Sequence, residues 1–149
     1  MWRSFLGATR LLCEQLDREL HRASGMPQAY YVILVALSEA PEHALRMSEL
    51  AGVSWTSRSR LSHAVARMEE AGWVRRQECT TDRRGSYAVL TEDGMRVLEK
   101  AAPTHVEGVR SHLFDVLSPL QVEQLGRISD AIRLGLTPAG PSTAEPGQT

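Results

Sequence analysis

Apolar residues in the first twenty positions recur at helical spacing. Phe5, Leu12, Leu16 and Leu20 fall on one strip, with Leu6 and Cys13 on a second. The pattern predicts a helix over 2–21 with more apolar surface than one flank needs, so that it packs on a partner as well as on its own core. Gly25-Met26-Pro27 ends this helix and opens another, proline being suited to a first helical position. From Gln28 to Ser38 almost every residue is apolar (Tyr30, Tyr31, Val32, Ile33, Leu34, Val35, Leu37), the mark of a central, buried helix. Residues 39–44 read as a loop and Leu45-Arg46 as a short extended piece. Ser48-Glu49-Leu50-Ala51 then starts a third helix, with Ser48 at its N-cap and an acid in its first turn.

The turn Ser54-Trp55-Thr56-Ser57 leads into a helix over Arg58–Ala71, with Trp55 expected to anchor the turn. At 100° per residue, Val65, Ala64 and Met68 lie within about 60° of Leu61 and form a core stripe. Ser59, His63, Ala66 and Glu70 point the opposite way, with Arg60, Ser62 and Arg67 on the flanks. Gly72 stops the helix. Trp73–Glu78 and Ser86–Leu90 read as the strands of a hairpin, and the polar, basic segment 79–85 as its tip. Thr91-Glu92-Asp93 caps a long helix with apolar positions at 95, 98, 102, 106, 109, 113 and 116. Pro103 interrupts that pattern, which predicts a kink or break near 99–103. Ser118-Pro119 opens a last helix with Val122, Leu125, Ile128 and Ile132 on one face. Residues 137–149 hold little to bury and read as a disordered tail. The fold class is therefore mainly α with a small β-hairpin wing (α+β): a winged helix-turn-helix over about 27–94, within one domain over 1–136.

Composition changes this picture little, but the distribution of charge changes it a good deal. The 149 residues are 42% hydrophobic and 23% charged, as in ordinary globular domains. No apolar run approaches a membrane span, and the acids Glu14, Asp17 and Glu19 come too early for a signal peptide, so a cytoplasmic location is expected. Net charge is −1, yet Ser54–Arg84 holds seven arginines against four acids. That local excess of +3 inside an otherwise acidic chain points to a confined polyanion site. Helix, turn, helix and an arginine-tipped hairpin supply a polyanion reader: small and basic residues lead the helix, and acids close it. Arginine suits the role because it offers guanine a bidentate fork and is drawn into narrow minor grooves.

The run MSELAGVSWTSRSRLSHAVARMEEAGWVRR resembles the helix-turn-helix of the MarR family with its "LExxGxV" turn. TDRRGSYAVLTEDG resembles that family's wing and exit, "DxR…LTxxG", at matching separation. The resemblance covers Met47–Gly94 closely and Trp2–Leu136 loosely. It implies a homodimer on near-palindromic double-stranded DNA, acting as a repressor that answers a small ligand. It also implies that helices over about 2–23 and 95–136 form the dimerisation region. By position, Arg58, Ser59, Arg60, Ser62, His63 and Arg67 would sit in or beside the major groove, and Arg83 and Arg84 in the wing at the minor groove. Asp82 would hold the wing through an arginine pair. His63 stands where the family often has arginine.

Other side chains compete for roles. Tyr30 and Tyr31, with Leu16, lie on helices that in this family wall a crevice for aromatic or phenolic effectors, although buried aromatics usually belong to the core. Cys13 occupies the helix in which one branch of the family senses peroxides, but Glu14 beside it disfavours the thiolate and no tyrosine is near in sequence, which points to a plain packed cysteine. Cys13 and Cys79 form neither a disulfide framework nor a zinc site. His105 and His112, seven apart, share a helical face without a third metal ligand, so no metal and no cofactor is expected. No nucleophile stands at a fixed spacing from a base, which argues against an enzyme. Two alternatives stay open: a thiol-based regulator acting through Cys13, and a winged-helix module used only for protein contacts.

Overall fold

Helix α1 (Trp2–Ser24) turns Leu16 and Leu20 into the core and leaves Trp2, Phe5, Leu6 and Leu11 exposed in the single chain. In this computed structural model the described residues are 1–54, 56–78 and 85–136. Trp55 and the tail 137–149, for which an anchoring role and disorder were expected, lie outside them. Gly25 ends α1 in the left-handed region (φ 70°), its N–H returning to the His21 carbonyl. Met26 is then fully buried, and Pro27 leads into α2 (Gln28–Glu39). Asp17 on α1 accepts the Gln28 N–H at 2.8 Å, so one helix caps the start of the next. Helix α2 runs through the centre as its apolarity predicts, with Tyr31, Ile33, Leu34 and Leu37 buried.

A 3₁₀ turn (Pro41–His43) follows, in which Glu42 and His43 both take positive φ, near 53° and 55°. Strand β1 (Ala44–Arg46) leads directly into α3 (Met47–Val53). The N-cap of α3 is Arg46 and not Ser48: Glu49 reaches back to the Arg46 N–H at 3.2 Å, so the helix begins two residues early. Helix α4 (Arg58–Glu70) is capped by Ser57, whose Oγ accepts from the Arg60 N–H. Leu61, Val65 and Met68 are buried and Ala64 partly so, the stripe laid out from the sequence. Strands β2 (Val74–Glu78) and β3 (Ser86–Leu90) form the hairpin, and β1 adds to its far side, giving an antiparallel sheet in the order β1-β3-β2. The architecture is a mainly helical winged helix-turn-helix with a small sheet.

Helix α5 (Glu92–Val109) packs along α1 and α2 and is not interrupted at Pro103. The departure from α geometry comes seven residues later, as a π turn over Arg110–Phe114 closed by the Asp115 N–H on the Arg110 carbonyl. Helix α6 (Pro119–Leu136) buries none of its residues. Among the described residues no helix is long and apolar enough to cross a membrane.

The wing and α5 meet at a tight junction. Gly72 (φ 76°) ends α4, and Thr91 Oγ1 donates to the Gly72 carbonyl at 2.7 Å while accepting from the Gly94 N–H at 3.0 Å. The Thr91 N–H donates to the Trp73 carbonyl. A methyl group at Gly94 would collide with that same carbonyl oxygen and with Leu90 Cδ1. Because the obstacle is backbone, Gly94→Ala should destabilise the protein by about 3 kcal/mol. The measurement is the urea midpoint, and a midpoint equal to the parent's would mean that the junction yields freely.

Candidate nucleic-acid interface

The outward face of α4 is built from its cap onward. Ser57 satisfies the first turn, and Arg58, Ser59, Arg60, Ser62, His63 and Arg67 all lie exposed. The positive end of the helix dipole therefore coincides with two arginines and two small hydroxyl residues, a combination that attracts phosphate and leaves room for a groove. The core stripe fixes which face points outward, so the sequence suffices to bring these six residues together. The Arg67 guanidinium is paired with Glu70 at 3.2 Å on an exposed surface, which sets it apart from Arg58 and Arg60 at the other end. A cleft of about 300 Å³ lies where α3, α4 and the hairpin meet, lined by Met47, Ser48, Arg58, Leu61, Ser62, Arg76 and Ser86.

The arginines of β2 behave differently from one another. Arg75 bonds Gln77 along its own strand at 2.9 Å. Arg76 crosses to α4: its backbone N–H donates to Glu69 Oε1 at 2.9 Å and its Nη2 to the Ser62 carbonyl at 3.0 Å. Sequence pattern marks Ser62 for DNA and leaves Arg76 aside, because a contact between residues 62 and 76 has no signature in helical or strand periodicity. Arg46 lies over the Tyr87 ring and bonds its hydroxyl, tying β1 to β3. Asp82, Arg83, Arg84 and Cys79 lie outside the described residues.

A second cluster occupies the seam between α1 and α5. His112 Nε2 meets Glu19 Oε1 at 2.7 Å, and Gln15 donates to the same carboxylate. The Gln15 hydrogen bond, followed by that of His112, holds the Glu19 carboxyl below its usual range. Gly108 leaves room for Leu16 and Glu19 to approach α5. A groove of about 630 Å³ runs beside this pair, lined among others by Arg22, Thr104 and Ser111. Tyr31 is a core residue, packed at 4.3 Å against His105, and Leu16 is buried as well; Tyr30 is half-buried. The tyrosines thus stand behind the groove and not in its lining. Cys13 is exposed and free, a correction to the expectation of a packed thiol, because its strip of α1 faces away from the core. Among the described residues no three metal-binding side chains converge.

The comparisons with known proteins agree with one another. Residues 24–85 match the model of the MarR family. The chain is 28% identical over 108 residues to the transcriptional repressor MprA of Escherichia coli strain K12, covering 72% of this chain and 61% of that protein. It therefore spans about three fifths of the length of that relative. Among solved structures, Sco3205 of Streptomyces coelicolor, a MarR family transcriptional regulator crystallised in complex with DNA, is 51% identical. It superposes with a TM-score of 0.88 over 93% of this chain and 86% of that one. AbsC from the same organism, also a MarR family transcriptional regulator, is 44% identical with a TM-score of 0.84 over 91% and 90% of the two chains.

Burial pushes the His105 imidazole below its ordinary value, and its Nδ1 has no hydrogen-bond partner. The unfolded chain therefore takes up a proton here at a higher pH than the folded one. Stability from the neutral ring is complete above about pH 6.5 and is lost as pH falls from there through the lowered folded value. His105→Phe should flatten the fall of Tm between pH 7 and 5; an unaltered slope would exclude this histidine as its source.

Proposed function

This chain belongs to the MarR family of transcriptional regulators, and from that premise we propose that it is a sequence-specific double-stranded DNA-binding repressor that acts as a homodimer on a near-palindromic operator. The observation that carries the reading is the exposed N-terminal half of α4, where Ser59 and His63 lie opposite the buried stripe of Leu61, Val65 and Met68 and Arg58, Arg60 and Ser62 stand exposed on its flanks. A recognition helix enters the major groove by this end, so serine and arginine read base edges while the acids Glu69 and Glu70 stay clear of phosphate. Arg83 and Arg84 serve the wing at the adjacent minor groove, with Asp82 supporting it. Residues 27–94 form the DNA-binding lobe, and the helices over 2–23 and 95–136 the dimerisation region.

The dimer reading rests on apolar surface that one chain leaves open. Trp2, Phe5 and Leu6 on α1 and Leu120, Ile128 and Ile132 on α6 are all exposed, and α6 buries nothing. Apolar side chains left open in this number mark an interface. Of the further readings, a thiol sensor has one observation in its favour, the exposure of Cys13. An aromatic or phenolic effector at Tyr30, Tyr31 and Leu16 has less support, since Tyr31 and Leu16 are core residues.

The test is fluorescence anisotropy with DNA flanking the gene, at physiological salt and with excess nonspecific competitor. Competitor-resistant binding at two protomers per site is expected, and absence of binding to any duplex at low salt would favour a protein-interaction module. Arg83→Ala with Arg84→Ala should lower the salt slope of binding by about two, as two phosphate-proximal charges are lost; an unchanged slope removes the wing from the interface. Ile128→Asp with Ile132→Asp should give monomers in sedimentation, and a dimer that survives would place the interface elsewhere.

A further inference from the structure

Arg76 is built into the fold in a way that phosphate-binding arginines are not. Its backbone N–H lies at the open edge of β2, turned away from β3, and is closed by Glu69 Oε1 at 2.9 Å. Its guanidinium then donates through Nη2 to the Ser62 carbonyl at 3.0 Å and to Ser62 Oγ at 3.4 Å. Its Nε lies 3.7 Å from Glu69 Oε2. Ser62 and Glu69 are seven residues apart, two turns on one flank of α4, a rise of about 10 Å. One side chain of the wing strand therefore lies lengthwise along the recognition helix and grips it at both ends. The Arg76 and Glu69 side chains are only 37% and 41% exposed, whereas those of the Arg67–Glu70 pair on the same helix are 72% and 67% exposed.

We propose that Arg76 is a positioning residue for DNA recognition: it fixes β2 to α4 so that helix and wing meet the duplex as one body, without itself contacting phosphate. The inference rests on the DNA-binding reading above. It follows from the direction of these bonds, since each donor comes from β2 and each acceptor from α4. The Ser62 carbonyl is backbone and its Oγ is shared with Arg76, so the role of Ser62 is to receive the strand as well as to approach DNA. The arrangement needs a planar fork with donors at fixed separation, which a lysine ammonium of equal charge does not supply.

That difference between charge and fork provides the test. Binding of the full chain to its operator and to unrelated duplex is measured across a salt series for the parent, Arg76→Lys, Arg76→Ala and Glu69→Ala. The parent should bind its operator specifically. Arg76→Lys and Arg76→Ala should both lower the ratio of specific to nonspecific affinity by about tenfold, the scale of one lost charge-assisted hydrogen bond, with the salt slope unchanged. Glu69→Ala should lower the same ratio, because Glu69 holds both the backbone N–H and the guanidinium of Arg76. If Arg76→Lys keeps the parent ratio while Arg76→Ala lowers the salt slope by about one, Arg76 is a phosphate contact and the proposal is overturned. Melting curves recorded alongside separate this outcome from unfolding, since a merely structural role would lower both affinities together and leave their ratio intact. Failure of the parent to prefer any duplex would instead overturn the DNA-binding reading on which the proposal stands.

Discussion

The direction in which α5 leaves the wing depends on a few atoms around Thr91. Its hydroxyl bridges the Gly72 carbonyl just beyond α4 and the Gly94 amide in the first turn of α5, and Gly94 lets that helix start directly against the Trp73 carbonyl. Three elements are fixed there at once: the end of α4, the exit of β3 and the axis of α5. Helix α5 in turn carries the contacts with α1 and α2. The spacing of α4 from the α1–α5 seam is therefore set by hydrogen bonds and a missing side chain, and apolar packing alone would not define it. Polar contacts of this kind are directional, so they specify an angle where apolar area only specifies proximity.

On either side of that junction the molecule has two characters. Around α2 the core is continuous, with Leu20, Leu34, Leu37, Leu50, Val65 and Met68 wholly enclosed. Among the described residues no charged side chain is buried in it. Along the outer parts of α1 and α6 the apolar residues stay open to water. Because close-packed interiors resist deformation, the first region behaves as a rigid lobe. In the dimer proposed above, the second would gain its burial through association, and the mutual placement of the two α4 helices would be a property of the pair.

Much of this was legible in the sequence, for physical reasons that vary by element. The stripe of α4 was legible because its apolar side chains recur on a 3.6-residue period, and the hairpin because Gly72 and a polar, basic tip bound its two strands. The start of α3 was misplaced because Ser48 has the better capping side chain, yet Glu49 bonds the Arg46 amide and draws the helix back over it. Pro103 drew attention as a helix breaker, but it stands within a helix held by its neighbours. What stayed hidden were pairs joined across the chain: Asp17 with Gln28, Glu19 with His112, and Arg76 with Ser62. None of these follows from local spacing, because each depends on how finished helices lie against one another. The exposure of Cys13 was hidden for the same reason, since periodicity identifies a second apolar strip but does not say whether the same chain covers it.

The π turn at Arg110–Phe114 has a consequence for how chain length can vary in this protein. Such a turn holds one residue more than the α-helix around it, and each residue in a helix sweeps about 100°. The wide turn takes up that extra residue locally, so deleting one residue there would restore regular geometry and leave everything beyond it, α6 included, close to its present phase. The segment is thus a place where the chain can gain or lose a residue without turning the apolar residues of α6 away from the side that the proposed dimer would use.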